Sequence, residues 1–292
     1  MKAVLLGLFD GVHCGHKSVL DALKRSGADI KTVYTFSSSQ LDTKGKRRLI
    51  LSDDEKREML LKNGADEVVF ADFESIREYS PEEFALKILI SQLKADYVIC
   101  GENFRFGKNA SGNADLLKKL LKANGIETEI VPLLNLDGSA VSTTRIRGLI
   151  EAGDITTANR LLGYSYFITG RVVHGDARGR RMGIRTINIS FDENKLLPAD
   201  GVYSSDVIID GKIYMGVTDI GFKPTVKDTG KRGIETHILD FDGDVYNNTV
   251  SIFFNDFYRK EIKFASESEL IEVIRGDIGR RLEEGLSGKI NH

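Results

Sequence analysis

Two histidines and three glycines lie close together near the start of the chain, in Gly7-Leu8-Phe9-Asp10-Gly11-Val12-His13-Cys14-Gly15-His16. Glycines let a ligand approach the backbone closely, and imidazoles donate hydrogen bonds to oxyanions. The apolar run at residues 3–6 predicts a buried strand before this stretch, and the spacing of Val19, Leu20 and Leu23 predicts a helix after it. Because a helix N-terminus attracts anions, this histidine turn (residues 7–16) is predicted to bind phosphate.

A metal site is the alternative interpretation of the histidine turn. His13, Cys14 and His16 could each ligate a metal, but a structural site needs about four ligands, and no other cluster of His or Cys lies nearby in the sequence. The turn matches neither the P-loop pattern nor G-x-G-x-x-G, so glycine content alone is a weak signal. Two imidazoles on either side of one glycine favour the phosphate interpretation.

The composition is that of an ordinary globular protein, with 292 residues, 41% hydrophobic and 29% charged. The net charge of −2 argues against a general nucleic-acid-binding protein, and the basic clusters at 44–48 and 178–185 lack interleaved aromatic residues. The two cysteines form no disulfide framework, which fits a reducing cytoplasm. No run reaches the ~18 apolar residues of a membrane span. We therefore expect a cytoplasmic protein without a nucleic-acid or membrane partner; the oligomeric state stays open.

Strand and helix patterns alternate through the first half of the chain. Capping boxes at Ser52 and Ser80 predict helix starts. Further strand-like runs lie at residues 31–36, 67–70, 97–100 and 126–131. Five strands separated by helices predict a doubly wound parallel sheet, a Rossmann-like α/β fold. Ligands bind such sheets beyond the carboxyl ends of the strands, which is where the histidine turn is expected.

A second candidate segment, residues 101–108, also follows a predicted strand. Asn103 offers an amide to a base edge or a flavin ring. Phe104 and Phe106 could stack on a ring, although packing in the core is the commoner role of phenylalanine. Arg105 and Lys108 could meet phosphates or be solvated. The segment therefore predicts a contact with a nucleotide or a flavin.

A third candidate segment is residues 141–149. Ser142 and Thr143 lie where a helix is expected to begin, so their hydroxyls could simply cap that helix. The functional interpretation makes Arg145 a planar donor to phosphate, with one of the two hydroxyls beside it.

These three segments together resemble the FMN adenylyltransferase module of bacterial FAD synthetases, within the H-x-G-H nucleotidyltransferase superfamily. Residues 7–16 match G-x-F-D-G-V-H-x-G-H, residues 101–107 match G-x-[DN]-F-x-F-G, and residues 142–147 match [ST]-x-T-R-I-R. The resemblance implies transfer of AMP from ATP to FMN with Mg²⁺ and release of pyrophosphate, and it implies catalytic roles for His13, His16 and Arg145. The ATP and FMN site would comprise Gly7, Phe9, Asp10, Gly15, Asn103, Phe104, Phe106, Ser142 and Thr143.

One departure from that family follows the second predicted strand. Relatives often carry Pro-His-Pro there, whereas this chain has Ser37-Ser38-Ser39. In the family this loop lies near the nucleotide or the flavin. The departure therefore predicts an altered substrate affinity and leaves the histidine turn unaffected.

The second half of the chain has short strand patterns, glycine turns and a helical tail. Asp210-Gly211 between two strand-like runs is a strong hairpin signal. Apolar residues at helical spacing predict a terminal helix with Leu270, Ile271, Ile274, Ile278 and Leu282 on one face. We expect a small antiparallel β-barrel followed by a C-terminal helix. A hinge near 162–165 predicts domains at 1–163 and 164–292.

This half resembles the riboflavin kinase module of the same family. The matching segments are residues 197–198, 201–203, 221–225 and 235–238. The resemblance implies that Glu235 is the catalytic base that activates the ribityl hydroxyl of riboflavin. It also implies that Thr186 and Asn188 hold Mg²⁺ and ATP phosphates. Period-two alternation places these two on one strand face, and Glu235 and His237 on one face of another strand.

Four departures surround the kinase-like phosphate loop. Arg185 replaces a proline, Ile187 an alanine, Ala177 a glycine and Asp219 an asparagine. A proline fixes φ, and a β-branched residue is expected to need extra room between two ligands. We therefore expect an FMN adenylyltransferase with weak or absent riboflavin kinase activity. The alternatives are a fully bifunctional enzyme and a flavin-binding regulatory protein, the last disfavoured because binding alone needs no paired histidines.

Overall fold

The computed structural model describes residues 1–37, 48–175, 183–222 and 232–285. The chain forms two compact units, Met1–Thr143 and Thr144–His292. Several positions singled out in the sequence lie outside the described residues: Ser38, Ser39, the basic residues 44–47 and 178–181, Ala177 and residues 223–225. No helix within the described ranges is long and apolar enough to cross a bilayer.

The first unit is built on a parallel sheet. Its strands in the described residues are β1 (Lys2–Leu6), β2 (Ile30–Phe36), β3 (Glu67–Ala71), β4 (Tyr97–Gly101) and β5 (Glu127–Val131), in the order β3-β2-β1-β4-β5. The helices that connect them include α1 (Cys14–Arg25), α2 (Asp53–Lys62) and α3 (Ala114–Lys122), with Phe73–Ile76, Pro81–Glu83 and the π-helical Phe84–Gln92 between β3 and β4. The doubly wound sheet predicted from the sequence is confirmed.

Strand β1 lies in the middle of this sheet because both of its faces are apolar. Ala3, Val4 and Leu5 have no exposed surface, as expected for a strand covered by helices on both sides. The predicted α1 face is buried too, with Leu20 and Leu23 fully inaccessible. Both predicted capping boxes form, at Ser52 and Ser80. The chain goes from β1 outward to β3 and returns to β4 on the other side, so the topological switch point lies between β1 and β4.

The second unit contains a closed antiparallel barrel, as predicted. Its strands in the described residues are β6 (Phe167–Val173), β7 (Thr186–Ser190), β8 (Gly201–Ile209), β9 (Lys212–Phe222), β10 (Arg232–Ile238) and β11 (Thr249–Arg259), in the order β6-β7-β10-β9-β8-β11. Helices α4 (Thr143–Ala152) and α5 (Ile155–Leu162) precede the barrel, and α6 (Glu267–Glu284) follows it. The Asp210-Gly211 hairpin joins β8 to β9.

Polar contacts hold the flanking helices to the barrel. Asn159 on α5 donates to the carbonyl of Phe254, at 2.8 Å. On α6, the buried guanidinium of Arg281 pairs with the buried carboxylate of Asp206 on β8. Leu282 was predicted on the packed face of α6 but is 50% exposed. The buried ion pair at position 281 sets the rotation of the last helical turn, so the apolar spacing misplaced Leu282.

Candidate functional site

The histidine turn leaves β1 in a tight conformation that requires two of its glycines. The Phe9 ring folds back over Gly7, so that a Cβ on Gly7 would lie 2.7 Å from the ring. Gly11 has a φ of +81°, in the region that only glycine adopts without strain. Phe9 itself is 1% exposed and has a φ of +48°. The side chain of Phe9 is therefore part of the packing that shapes the turn.

His13 and His16 cap helix α1 reciprocally. His13 is the N-cap residue, and its Nδ1 accepts from the backbone N–H of His16 at 3.3 Å. In return the Nδ1 of His16 accepts from the backbone N–H of His13 at 3.3 Å. The two rings stack with centroids 3.6 Å apart. This is a capping box in which imidazoles take the places usually held by Ser or Thr and Glu.

The capping box fixes the protonation of both rings. A ring nitrogen that accepts a hydrogen bond carries no proton, so each neutral imidazole bears its proton on Nε2. Burial lowers the pKa of His13 to about 4. Burial, followed by the charges of His13 and Lys56, lowers the pKa of His16 well below its ordinary value. At neutral pH the site thus has two uncharged Nε2–H donors at a helix N-terminus.

Gly15 and Asp10 complete the surroundings of the turn. A Cβ on Gly15 would lie 3.1 Å from the His13 ring, so a side chain there would be in tight contact with the imidazole and would require it to shift slightly. Asp10 is 8% exposed, and its backbone carbonyl accepts from the Thr143 hydroxyl at 3.1 Å. The first residue of α4 is therefore joined to the histidine turn, although 133 positions separate the two in sequence.

The second candidate segment leaves the sheet beside the first. Leu6 of β1 is opposite Cys100 of β4, so the turns after both strands lie at the switch point. Asn103 is exposed, and its Oδ1 would be 3.1 Å from a Cβ on Gly101. Phe106 is buried in the core and stacks on half-buried Phe104 with centroids 5.7 Å apart. These positions favour packing for Phe106, and ligand contacts for Asn103 and Phe104 stay predictions.

The third candidate segment forms the start of α4. Ser142 and Thr143 are half-buried at the helix start, and Arg145, two residues further, is half-buried as well. Thr143 belongs to the first unit and Arg145 to the second. The roles predicted for Ser142, Thr143 and Arg145 stay predictions from their motif.

Four candidate residues meet on one face of the barrel, which we call the kinase-like face: Thr186, Asn188, Glu235 and His237. Thr186 is opposite His237, and Asn188 is opposite Glu235. The hydroxyl of Thr186 donates to the carboxylate of Glu235. Ile187 is opposite Thr236, so alternation places its side chain on the other face of the strand. The register therefore gives no support to the expectation that Ile187 crowds the space between Thr186 and Asn188, which stays a prediction.

Asp219 was noted in the sequence only as a departure from the family, yet the barrel places it next to Glu235. The two residues are direct cross-strand partners on β9 and β10. Burial, then the carboxylates of Glu261 and Glu235, raise the pKa of Asp219 to about 7. Asp219 is therefore partly protonated at neutral pH, and a protonated carboxyl is a neutral donor, like the amide it replaces.

A cavity of about 240 Å³ opens beside the kinase-like face. Its wall includes Thr186 from that face, together with Arg185, Ile187, Ile238 and Tyr246. Arg185 is exposed and lies 3.9 Å from the carboxylate of Asp242. Its carbonyl accepts from His237 at 2.7 Å. The arginine that replaces the family's proline therefore lies in the cavity wall, and the backbone there is still tied to β10.

Neutral oxygen donors on the kinase-like face fit a magnesium ion only together with a nucleotide. Mg²⁺ takes few protein ligands and shares substrate phosphates, and Thr186 and Asn188 offer a hydroxyl and an amide oxygen. Within the residues that the structure describes, no group of three or more His, Cys, Asp or Glu could hold a metal. This includes the histidine turn, whose rings are used as helix caps.

Comparison with known proteins agrees with this geometry. A family model for FAD synthetase matches residues 1–145, and one for riboflavin kinase matches residues 162–283. Proteins named bifunctional riboflavin kinase/FMN adenylyltransferase are 33% identical in Pseudomonas fluorescens, over 94% of this chain and 89% of theirs, and 34% identical in Listeria monocytogenes, over 94% and 90%. A crystal structure named as a macrolide-efflux protein from Streptococcus pneumoniae has a TM-score of 0.87 at 29% identity, covering 98% of this chain and 94% of that one.

A parallel sheet with a histidine-capped helix at its switch point defines a nucleotidyltransferase-like unit, here followed by a closed barrel. The chain belongs to the bifunctional riboflavin kinase/FMN adenylyltransferase family.

Proposed function

We propose that the first unit transfers AMP from ATP to FMN, forming FAD and pyrophosphate. A phosphate oxygen of FMN attacks the α-phosphorus of ATP, and the bond from that phosphorus to the bridging oxygen of the pyrophosphate breaks. No residue forms a covalent intermediate. The protein contributes position and charge stabilisation, and Mg²⁺ would neutralise part of the triphosphate charge.

The reciprocal histidine cap carries this proposal. It leaves two Nε2–H donors and the free N–H groups of a helix N-terminus at the switch point of the sheet. Such donors bind the charge that develops on transferring phosphate. Asn103 at the neighbouring strand end is proposed to contact the flavin or the base. Arg145 keeps the phosphate role that its motif predicts.

The test measures FAD and pyrophosphate formed from FMN and ATP by the purified protein, beside a His13→Asn variant. The Asn side chain can accept the cap hydrogen bond but has no Nε2–H. We expect helix stability to be kept and FAD formation to fall about 10²-fold or more. His174→Ala, in the second unit, is the matched control and should leave FAD formation unchanged. Normal FAD formation by His13→Asn would contradict the proposal.

We propose further that the second unit phosphorylates riboflavin, so that the enzyme is bifunctional. The hydrogen bond between Thr186 and Glu235, and the place of Asn188 opposite that glutamate, favour this activity. Glu235 would take the proton of the ribityl hydroxyl as its oxygen attacks the γ-phosphorus of ATP, and ADP would leave. The weak kinase expected from the four departures is not confirmed, and the bifunctional alternative fits the family at least as well.

The kinase test supplies riboflavin and ATP with Mg²⁺ and separates FMN and FAD by chromatography. The wild-type protein is expected to form FMN first and FAD later. Glu235→Gln should stop FMN formation from riboflavin while leaving FAD formation from added FMN intact. Absence of FMN formation by the wild-type protein, with riboflavin still bound, would instead favour a flavin-sensing barrel.

A further inference from the structure

Lys56 is a fully buried lysine that no motif singled out. It lies on α2 and has no exposed surface. Its Nζ donates to the backbone carbonyl of Phe36 at 3.0 Å and lies 3.7 Å from a carboxylate oxygen of Asp53. The same ammonium is 5.6 Å from the centre of the Phe70 ring. Burying an ammonium is costly, so its retention in the core calls for a role beyond packing.

The contact to Phe36 links Lys56 to the histidine turn through consecutive residues of β2. Phe36 is the last residue of that strand. The hydroxyl of Thr35 donates to the carbonyl of Leu8 at 3.0 Å, and the carbonyl of Tyr34 accepts from the N–H of Gly7 at 3.4 Å. Tyr34 and Thr35 thus contact the turn, and the next residue, Phe36, accepts from the buried lysine.

The charge of Lys56 also affects the pKa of His16. It contributes to the lowered pKa of His16, because a nearby positive charge disfavours the imidazolium form. In a buried environment such an interaction is weakly screened. A fixed positive charge at this depth also attracts the polyphosphate that the turn is proposed to bind.

We propose that Lys56 is a positioning residue of the adenylyl-transfer site, which fixes the end of β2, where Tyr34 and Thr35 contact the histidine turn, and adds positive charge to the site. This inference rests on the proposed adenylyl transfer in the first unit. The lysine keeps His16 uncharged, so that the imidazole can donate a hydrogen bond. Its positive charge also strengthens the binding of ATP.

The test compares Lys56→Met with Lys62→Met, an exposed lysine on the same helix that pairs with Glu58. Two quantities are measured: the pKa of His16 by NMR titration of the imidazole, and kcat and KM for ATP in FAD formation. For Lys56→Met we expect the pKa of His16 to rise, and KM for ATP to rise about tenfold. Lys62→Met should change neither quantity.

A folded Lys56→Met protein with unchanged pKa of His16 and unchanged KM would overturn the inference. If that variant does not fold, Lys56→Gln keeps a donor without the charge, and the same rise in the pKa of His16 is expected. Asp53→Asn offers a third test at a surface position, since losing the counter-charge should lower the pKa of His16 further; no change there would also count against the inference. The titration needs no turnover, so a wild-type protein that makes no FAD would reject the proposed function separately.

Discussion

The two candidate sites of this chain are assembled in opposite ways. In the first unit, the two imidazoles proposed to act in catalysis are three positions apart and hold each other through one helix cap. In the second, Asn188, Glu235 and Asp219 come from three strands and meet only because the barrel aligns them in one row. The first site is therefore local and tolerates little change of residue type. The second depends on register, so neighbouring residues can compensate for a substitution.

The largest effects are expected from variants that should separate the two sites completely. His16→Asn should lower FAD formation from FMN about 10²-fold or more and leave riboflavin phosphorylation unchanged. Glu235→Gln should do the reverse. Product analysis with riboflavin or FMN as the starting flavin measures both effects, and either variant lowering both activities would show that the sites do not act independently.

The next largest effect is expected on the free energy of unfolding of the first unit, which should depend on pH. The pKa of His13 is about 4 in the folded protein against an ordinary 6.5. The unfolded chain therefore binds more protons between these values, and stability is lost as the pH falls from about 6.5 to about 4. The loss is on the order of 3 kcal/mol for His13. Urea unfolding across this range measures it, and His13→Asn, which should lose the part due to His13 and keep the part due to His16, is the control.

A moderate effect is expected for Asp219→Asn, which restores the family's amide. The folded pKa of about 7 lies above the ordinary value of 3.8, so stability falls as the pH rises from about 4 to about 7. The variant should remove this loss and be more stable at pH 8 by about 1–2 kcal/mol, allowing for partial exposure. It should also raise kinase activity several-fold at pH 8 and change it little at pH 6. Equal pH profiles for both proteins would mean that the carboxyl does not act as an amide substitute.

The smallest effect is expected for Ile187→Ala, another return to the family residue. The Ile187 side chain lies on the face away from Thr186 and Asn188, so shortening it should not enlarge the space between them. Kinase kcat should stay within about twofold, with a stability loss of about 1 kcal/mol from the lost packing. A large gain in kinase rate would show that the side chain crowds the site after all.

The fold and the local site follow from sequence patterns because their signals are short-range. Apolar periodicity and capping boxes define β1, α1 and α2, and the histidine turn spans ten positions. The stacked, neutral state of His13 and His16 does not follow, because it depends on burial. Lys56 was missed for a similar reason: a lysine after a capping box has the pattern of a solvated helix face, and only the tertiary fold buries it.

The barrel shows where sequence patterns stop being informative. Alternation correctly predicts that Glu235 and His237 share one face of their strand, and that Thr186 and Asn188 share one face of theirs. This prediction needs the pattern of only one strand at a time. It could not place Asp219 beside Glu235, because the register of β9 against β10 is set by the whole barrel. The effect of Asp219 therefore depends on a neighbour on β10 that the pattern of its own strand does not indicate.

The central place of β1 also has a consequence for folding during synthesis. Residues of this strand leave the ribosome before those of the other four strands of the sheet, and the histidine turn follows directly after them. Yet β1 pairs with β4, whose residues are made only some ninety positions later. Until then one edge of the first strand is open, with an apolar run exposed beside it. Strand β1 and the histidine turn are thus synthesised early but are fully paired only after β4 has been made. A nascent chain that stops before β4 is therefore an expected target for chaperones.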